Sequence, residues 1–333
     1  MAMHEASFYE ELEAGKVRCL LCPRRCVIAP GKKGVCGVRE NRDGKLYSLV
    51  YGRPCSFAVD PVEKKPLYHF LPGQKVFSLA TVGCNLFCRW CQNWEISHPE
   101  PGIIAPYGDV SPAEVVRQCE EQGCSIIAFT YTEPTIFYEY MVDVAKLARE
   151  AGVRTVMVSN GYIEEKPLRE LIPYLDAANI DLKMFSDEKY LRWTSAELEP
   201  VLRTLRLLRE KDVHLEMTTL VVPGVNDSDE ELEELYAWVA KELGEDQVVH
   251  VSRFFPAYKV VDKEPTPMRT LERAVDIAKK HVRYVYLGNV AGKEETVCPK
   301  CGKVVVRRAA SGVDVSLRQG KCSCGERIIG VWE

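Results

Sequence analysis

Residues 81–97 read TVGCNLFCRWCQNWEIS, and they set Cys84, Cys88 and Cys91 within eight residues, directly after the apolar run KVFSLATV. Three thiolates in the spacing C-x3-C-x2-C cannot close a tetrahedral zinc site, and no histidine lies near enough in sequence to be an obvious fourth ligand. A four-iron cluster has four corners, so three cysteines leave one iron open for a further ligand. The apolar run reads as a strand, which hangs the thiols from its carboxyl end. The alternatives are three buried cysteines or a zinc site completed from elsewhere in the chain.

The chain has 333 residues, 46% of them hydrophobic. That length supports one large domain plus small appendages. Net charge is -4, with both signs interspersed, so nothing indicates a polybasic membrane anchor, and nucleic-acid binding is unsupported. The first residues, MAMHEASFYEELEAGK, are acidic and amphipathic without an apolar leader core, and no apolar run approaches bilayer-spanning length. These features predict a soluble cytoplasmic chain. Fourteen cysteines, gathered mostly in tight sets, suit metal sites better than disulfides. Cys55, Cys119 and Cys124 stand apart and read as small buried hydrophobes.

Strands are expected at VFSLATV, SIIAFTY, VRTVMVS, AANIDLK, VHLEMTTLVV and VVHVSRF, with VRYVYLG a candidate for one more. Helical segments fill the gaps. SPAEVVRQCEEQG opens on Ser111 as cap with Pro112 in the first turn and stops at Gly123. PTIFYEYMVDVAKLAREAG runs from Pro134 to Gly152, and DSDEELEELYAWVAKELG carries acids in its first turn, where the helix dipole favours them. This alternation predicts an α/β fold with a parallel sheet, open or closed into a barrel, whose working face lies at the carboxyl ends of the strands. TYTEP, SNG, DLK, VPGVND and RFFPAY all fall there.

CNLFCRWC, with Trp90 just before the last cysteine, resembles the motif of the radical S-adenosylmethionine (SAM) enzymes. The resemblance implies a partial (β/α)6 TIM-like barrel, a [4Fe-4S] cluster on Cys84, Cys88 and Cys91, and SAM chelated by the open iron, with Trp90 at the cofactor. Reductive cleavage would then yield methionine and a 5′-deoxyadenosyl radical. TYTEP stands where the family usually has two glycines, a glutamate and a proline. Glu133 would receive the methionyl ammonium, and the backbone of Tyr131 and Thr132 would line it. SNGY and DLK resemble loops of the glycyl-radical-activating enzymes, the pyruvate formate-lyase activator among them. That likeness puts Ser159, Asn160, Asp181 and Lys183 around the ribose and carboxylate of SAM. VVPGVND is similar to their adenine-side segment. Val158 stands where those activators carry an aspartate.

A closer resemblance spans nearly the whole chain. CLLCPRRC, GVCGVREN, DPVEKKPLYHF, GCNLFCRWCQNWEIS, SRFFPAYK and the carboxyl-terminal cysteine knuckles occur in this order in the radical enzyme of the AmmeMemoRadiSam system. It implies AMMECR1-type and Memo-like companion proteins, an electron donor such as ferredoxin or flavodoxin, and hydrogen abstraction from a substrate the sequence does not identify. Activation of a glycyl-radical protein is the rival within enzymes. A non-catalytic metal-binding scaffold or nucleic-acid-binding module is the rival outside them, and the full complement of cofactor-side loops argues against it.

The tail CPKCGKVVVRR…GKCSCGERIIGVW carries Cys298, Cys301, Cys322 and Cys324 on two knuckles. Four thiolates suit a closed structural zinc site in a ribbon too poor in apolar residues to fold well alone. Near the start, Cys19, Cys22, Cys26 and Cys36 are spaced C-x2-C-x3-C-x9-C, enough to close a zinc site or a second iron–sulfur cluster. The organisation expected is a cysteine-rich extension over residues 1–73, a barrel over 74–290 and a zinc ribbon over 291–333. DPVEKKPLYHF reads as a rigid surface turn with a charge run, or as a lid over the barrel mouth. Tyr258 either faces the radical or packs in the rim.

Overall fold

The computed structural model describes residues 4–99, 106–292, 294–309 and 312–333. Eight strands form one sheet in sequence order: β1 (Ser56–Pro61), β2 (Lys75–Ala80), β3 (Ile126–Phe129), β4 (Arg154–Ser159), β5 (Ala177–Asp181), β6 (His214–Val221), β7 (Val248–Arg253) and β8 (Tyr284–Gly288). β1 is antiparallel to β2, and every pairing from β2 to β8 is parallel. The sheet therefore has seven parallel strands where a six-unit barrel was expected. VRYVYLG supplies the seventh: Tyr284 and Tyr286 are buried, and Val248 pairs with Tyr284. Among the described residues β8 does not pair with β1, so the sheet stays open.

Helices cover the outer face. α1 (Pro112–Glu121) begins as predicted, with the Glu114 N–H donating to Ser111 Oγ at 3.2 Å. The next begins differently. Pro134–Phe137 forms a 3₁₀ turn before α2 (Tyr138–Glu150), because the Glu133 side chain caps Thr135 and tightens the entry. α3 (Glu165–Leu171), α4 (Asp187–Thr194), α5 (Glu199–Glu210), α6 (Asp229–Leu243) and α7 (Met268–Lys279) follow. α6 takes Ser228 as its cap and Asp229, Glu230 and Glu231 in its first turn.

Residues 60–70 correct the reading of a surface turn or lid. Lys65, Leu67, His69 and Phe70 are buried, and Val62, Leu67 and Phe70 pack against Val76, Ile126, Ala128, Val156 and Ala177 of the sheet. The segment packs on the sheet itself. Its main chain is fixed by long-range partners: Asn179 Nδ2 donates to Pro66 O at 2.7 Å, while the Tyr68 and His69 N–H groups donate to Glu216 at 3.0 and 2.7 Å. Lys65 Nζ pairs with Asp60 at 2.8 Å and lies over the Tyr131 ring at 4.4 Å. A charge run in sequence thus becomes one buried cation with a part-buried partner and one exposed neighbour, Lys64.

The amino-terminal residues form two small antiparallel sheets, one of His4–Glu5, Lys45–Ser48 and Arg39–Arg42, the other of Tyr9–Glu11, Val17–Cys19 and Val27–Ile28. Arg39 locks them to α2 through one terminal nitrogen that donates to both carboxylate oxygens of Glu139, at 2.5 and 2.7 Å, both side chains buried. At the other end, β9 (Glu294–Val297), β10 (Val304–Ala309) and β11 (Gly312–Val315) make a three-stranded antiparallel sheet. The last residues return to the 60–70 segment: Leu71 N–H donates to Val331 O, and Val331 N–H to His69 O. Gly330 permits this approach, since a Cβ there would stand 2.5 Å from His69 O.

Candidate active site

The three cysteines lie in the loop after β2, at the carboxyl edge of the sheet, as the spacing predicts. No three of their sulfurs come within 4.8 Å of one another. One zinc ion would draw its thiolates to about 3.8 Å apart, given Zn–S bonds near 2.3 Å, and the three do not gather in that way. Each sulfur has a different neighbour. Cys84 Sγ accepts from the Leu86 N–H at 3.4 Å and lies 3.8 Å from Asn160 Nδ2, and Cys91 Sγ lies 3.7 Å from Ser97 Oγ. Burial pushes the Cys84 thiol well above its usual range, with Glu133 adding to the rise. Burial also lifts Cys88 to about 11, against the pull of the Lys183 ammonium.

Lys183 Nζ bonds Asp181 Oδ2 at 2.9 Å just past β5. Burial would lower the Lys183 pKa, but Asp181 and Cys88 outweigh it and hold the ammonium charged. The Asp181 side chain remains 36% exposed, whereas Glu133 is 1% exposed. Glu133 is held by protein donors on neighbouring loops. Its Oε1 accepts from Thr135 N at 2.9 Å, Thr135 Oγ1 at 2.6 Å and Ser159 Oγ at 2.8 Å, and its Oε2 accepts from Asn160 N at 2.9 Å. Glu133 is therefore a buried strap between the loops after β3 and β4, its carboxylate already supplied with protein donors.

Ser159 and Asn160 belong to the same lattice. Ser159 Oγ also accepts from Gly161 N, while Asn160 Nδ2 donates to Asn85 Oδ1 at 2.9 Å and its Oδ1 accepts from Tyr162 N at 2.9 Å. Trp90 is buried against Trp193, ring centroids 5.8 Å apart. Tyr131 stands at a position where the family has glycine and still adopts the left-handed backbone glycine favours, at φ 66°. Its carbonyl accepts from Asn93 Nδ2 at 2.7 Å, and its hydroxyl donates to Asp60 at 2.6 Å. Thr132 Oγ1 donates to Thr81 O at 2.7 Å. In VPGVND, Asn226 is buried and braces the loop, donating to Lys183 O and Leu220 O. Tyr258 packs in the rim, stacked on Trp94 at 5.5 Å.

Sequence reasoning missed Asn85, Asn93 and Tyr190. The first two sit in or beside the cysteine motif, where amides that clamp neighbouring loops could have been sought. Tyr190, on α4, is buried in the electrostatic reach of Lys183, Cys88 and Asp181. Nothing in its local sequence signals that position.

The carboxyl-terminal quartet is brought together as predicted. Cys298 and Cys324 sulfurs are 3.6 Å apart, those of Cys301 and Cys322 3.7 Å, and all four lie within 4.8 Å of one another.

The family model described as the radical SAM superfamily matches residues 78–239, from inside β2 through most of α6, and so contains the cysteine loop and the strand ends described above. The chain belongs to the radical SAM superfamily. As a radical SAM protein it is an enzyme of radical chemistry, and the family implies a [4Fe-4S] cluster and SAM. It is 45% identical to uncharacterized protein MJ0808 of Methanocaldococcus jannaschii, over 98% of this chain and 99% of that one. It is 26% identical over 170 residues to the pyruvate formate-lyase-activating enzyme of Listeria monocytogenes, 47% of this chain and 66% of that one. Among solved structures, Streptococcus suis SuiB bound to precursor peptide SuiA has a TM-score of 0.51 at 13% identity, covering 69% of this chain and 51% of that one, a likeness of fold alone. Among the described residues, no helix is long and apolar enough to cross a membrane.

Proposed function

We propose that Cys84, Cys88 and Cys91 hold the [4Fe-4S] cluster of a SAM-cleaving enzyme that abstracts hydrogen from its substrate. The disposition of the three thiols carries this reading: they sit in one loop at the carboxyl edge of the parallel sheet, with the Asp181–Lys183 pair in electrostatic reach of Cys88. When bound, the cluster supplies the electron that cleaves SAM to methionine and a 5′-deoxyadenosyl radical. The chain's own residues orient and shield. Lys183 holds positive charge beside Cys88, Leu86 N–H and Asn160 Nδ2 point donors at the Cys84 sulfur, and Asp181 offers a partly exposed carboxylate to ribose hydroxyls.

Asp181 and Glu133 then separate two effects. Asp181→Asn should raise the SAM dissociation constant about tenfold to a hundredfold with little change in melting temperature. Glu133→Gln turns an amide N–H₂ or a weaker acceptor toward the Asn160, Ser159 and Thr135 donors, and should destabilise the protein by about 1–3 kcal/mol. Anaerobic SAM titration and thermal melts of both variants check this. An unaltered affinity for Asp181→Asn would remove Asp181 from the cofactor site.

The motif order over nearly the whole chain supports a place in the AmmeMemoRadiSam system, with AMMECR1-type and Memo-like companions and a ferredoxin or flavodoxin as electron donor. The relative named as a pyruvate formate-lyase-activating enzyme favours a second reading, activation of a glycyl-radical protein. Anaerobic incubation of the reconstituted enzyme with reductant, SAM and each companion, followed by mass analysis of small products and of the proteins, distinguishes them. A backbone-cleaved or radical-bearing partner supports the second reading; a modified small molecule supports the first.

For the tail we propose structural zinc, since the sulfur spacing of 3.6–3.7 Å matches that expected for one tetrahedral ion. Protein purified without added iron should contain about one zinc per chain, lost on Cys301→Ala. Elemental analysis that finds no zinc in the parent protein contradicts the assignment.

A further inference from the structure

We infer that Cys19, Cys22, Cys26 and Cys36 bind a second [4Fe-4S] cluster, seated between the amino-terminal sheets and the loop that carries Cys84. All four thiols line one enclosed cavity, together with Arg24 and Arg39. Each cysteine is free, so no disulfide competes for the sulfurs. Four converging thiols in a largely buried cavity need a cation to be ionised there, and zinc and iron–sulfur clusters are the two common choices.

A contrast with the tail of the same chain favours the cluster. In the tail, four sulfurs gather within 4.8 Å of one another, with two pairs at 3.6 and 3.7 Å. No three of the amino-terminal sulfurs come that close. A cubane core holds its thiolates at roughly 6 Å from one another, because each binds a separate iron. The amino-terminal quartet thus lines one cavity without gathering as the tail knuckles do, for which zinc is proposed above.

Two further features of the cavity point to a bound anionic group. Arg39 is buried, and although its terminal nitrogens reach Glu139 and the Ser7 carbonyl, its Nε–H has no partner among the described residues. Arg24 donates from Nε to Asn85 O at 2.6 Å, while one of its terminal nitrogens is likewise buried and unpartnered. A four-iron core with four thiolates carries net negative charge, and its sulfurs accept such donors. Space is preserved at the wall by Gly34, where a Cβ would stand 3.8 Å from Cys26 Sγ and 3.2 Å from Ile28 Cδ1.

The cavity abuts the active-site loop. Asn85, next to Cys84, forms part of its lining, and Gly83 presses so close to Cys36 that an added Cβ would meet the Cys36 carbonyl at 2.9 Å. The second cluster would therefore join the amino-terminal sheets to the loop that holds the first.

The test uses the full chain, reconstituted anaerobically with iron and sulfide, and its variants separate this cluster from the one proposed at the active site. The parent should bind about eight irons and eight sulfides per chain, and Cys22→Ser with Cys36→Ser should bind about four. The triple variant Cys84→Ala, Cys88→Ala, Cys91→Ala should retain about four irons with the visible absorption of a four-iron cluster. A folded triple variant that holds no iron, or one that holds a second zinc per chain in its place, overturns the inference. If the triple variant does not fold, the comparison of parent with the Cys22→Ser, Cys36→Ser protein decides alone, and equal iron content in the two overturns it. A parent with about eight irons whose triple variant loses none instead contradicts the active-site assignment.

Discussion

Alanine at Cys84, Cys88 or Cys91 is expected to abolish 5′-deoxyadenosine formation, lowering it by more than about a hundredfold. Loss of an outer-shell partner alone costs a metal site tenfold to a hundredfold, and these residues are the proposed ligands themselves. Removing one leaves two thiolates for a four-iron core and a buried gap where a sulfur stood. The fold should survive. The three cysteines sit in a loop rather than in the sheet, and Cys→Ala removes a single heavy atom with no large cavity. Product analysis under strong reductant, alongside circular dichroism, checks both halves. Activity near the parent level in any of the three variants places the cluster elsewhere.

The second large effect lies at the opposite end of the strands. Glu216 is fully buried and accepts four hydrogen bonds: from Tyr68 N at 3.0 Å, His69 N at 2.7 Å, His214 Nε2 at 3.0 Å and His250 Nε2 at 2.6 Å. Burial alone would raise its pKa, but the bonds to His214 and His250 outweigh it and hold the carboxyl well below its usual range. Glu216→Ala strips partners from four buried donors at once, and should lower unfolding free energy by about 3–5 kcal/mol. A loss under about 1 kcal/mol would contradict the central role given to this carboxylate. The same cluster predicts acid sensitivity. Burial pushes His69 from its usual 6.5 down to about 3, so the folded chain keeps it neutral where the unfolded chain protonates it. Stability is therefore full above about 6.5 and falls as pH drops toward 3, and the depressed Glu216 carboxyl adds its own loss at the acid end. Chemical denaturation of the full chain should give a lower unfolding free energy at pH 5 than at pH 7.5, with a shallower slope in His69→Asn.

What could be read from the sequence was local. Cys84, Cys88 and Cys91, the tail quartet, the Ser111 and Ser228 caps and the strand–helix alternation each depend on residues a few positions apart, so their spacing carried the information. The number of parallel strands was less legible, because VRYVYLG is short and follows a long connection. Residues 60–70 were misread for a different reason. Their charges resemble a solvated turn, and only Asp60, Tyr131, Asn179 and Glu216, the last more than 140 positions away, turn Lys65 and the Tyr68–His69 backbone inward. Glu133 shows the same limit at the site. Its motif position suggested a cofactor ligand, while its bonds to Ser159 and Asn160 on the neighbouring strand end were not legible, because a single sequence does not say which donors will surround a carboxylate. The amino-terminal cysteines lay between: their spacing left zinc and a cluster open, and only the fold shows that all four line one cavity.

The most direct measurement is electron paramagnetic resonance of the reduced, reconstituted full chain, with and without SAM labelled at its amino nitrogen and carboxylate oxygen. Direct chelation at an open iron predicts a changed spectrum on adding SAM and hyperfine coupling from both labels, each lost in Cys84→Ala. A reduced cluster signal that saturating SAM leaves unaltered, with no coupling from either label, would contradict an open iron on Cys84, Cys88 and Cys91.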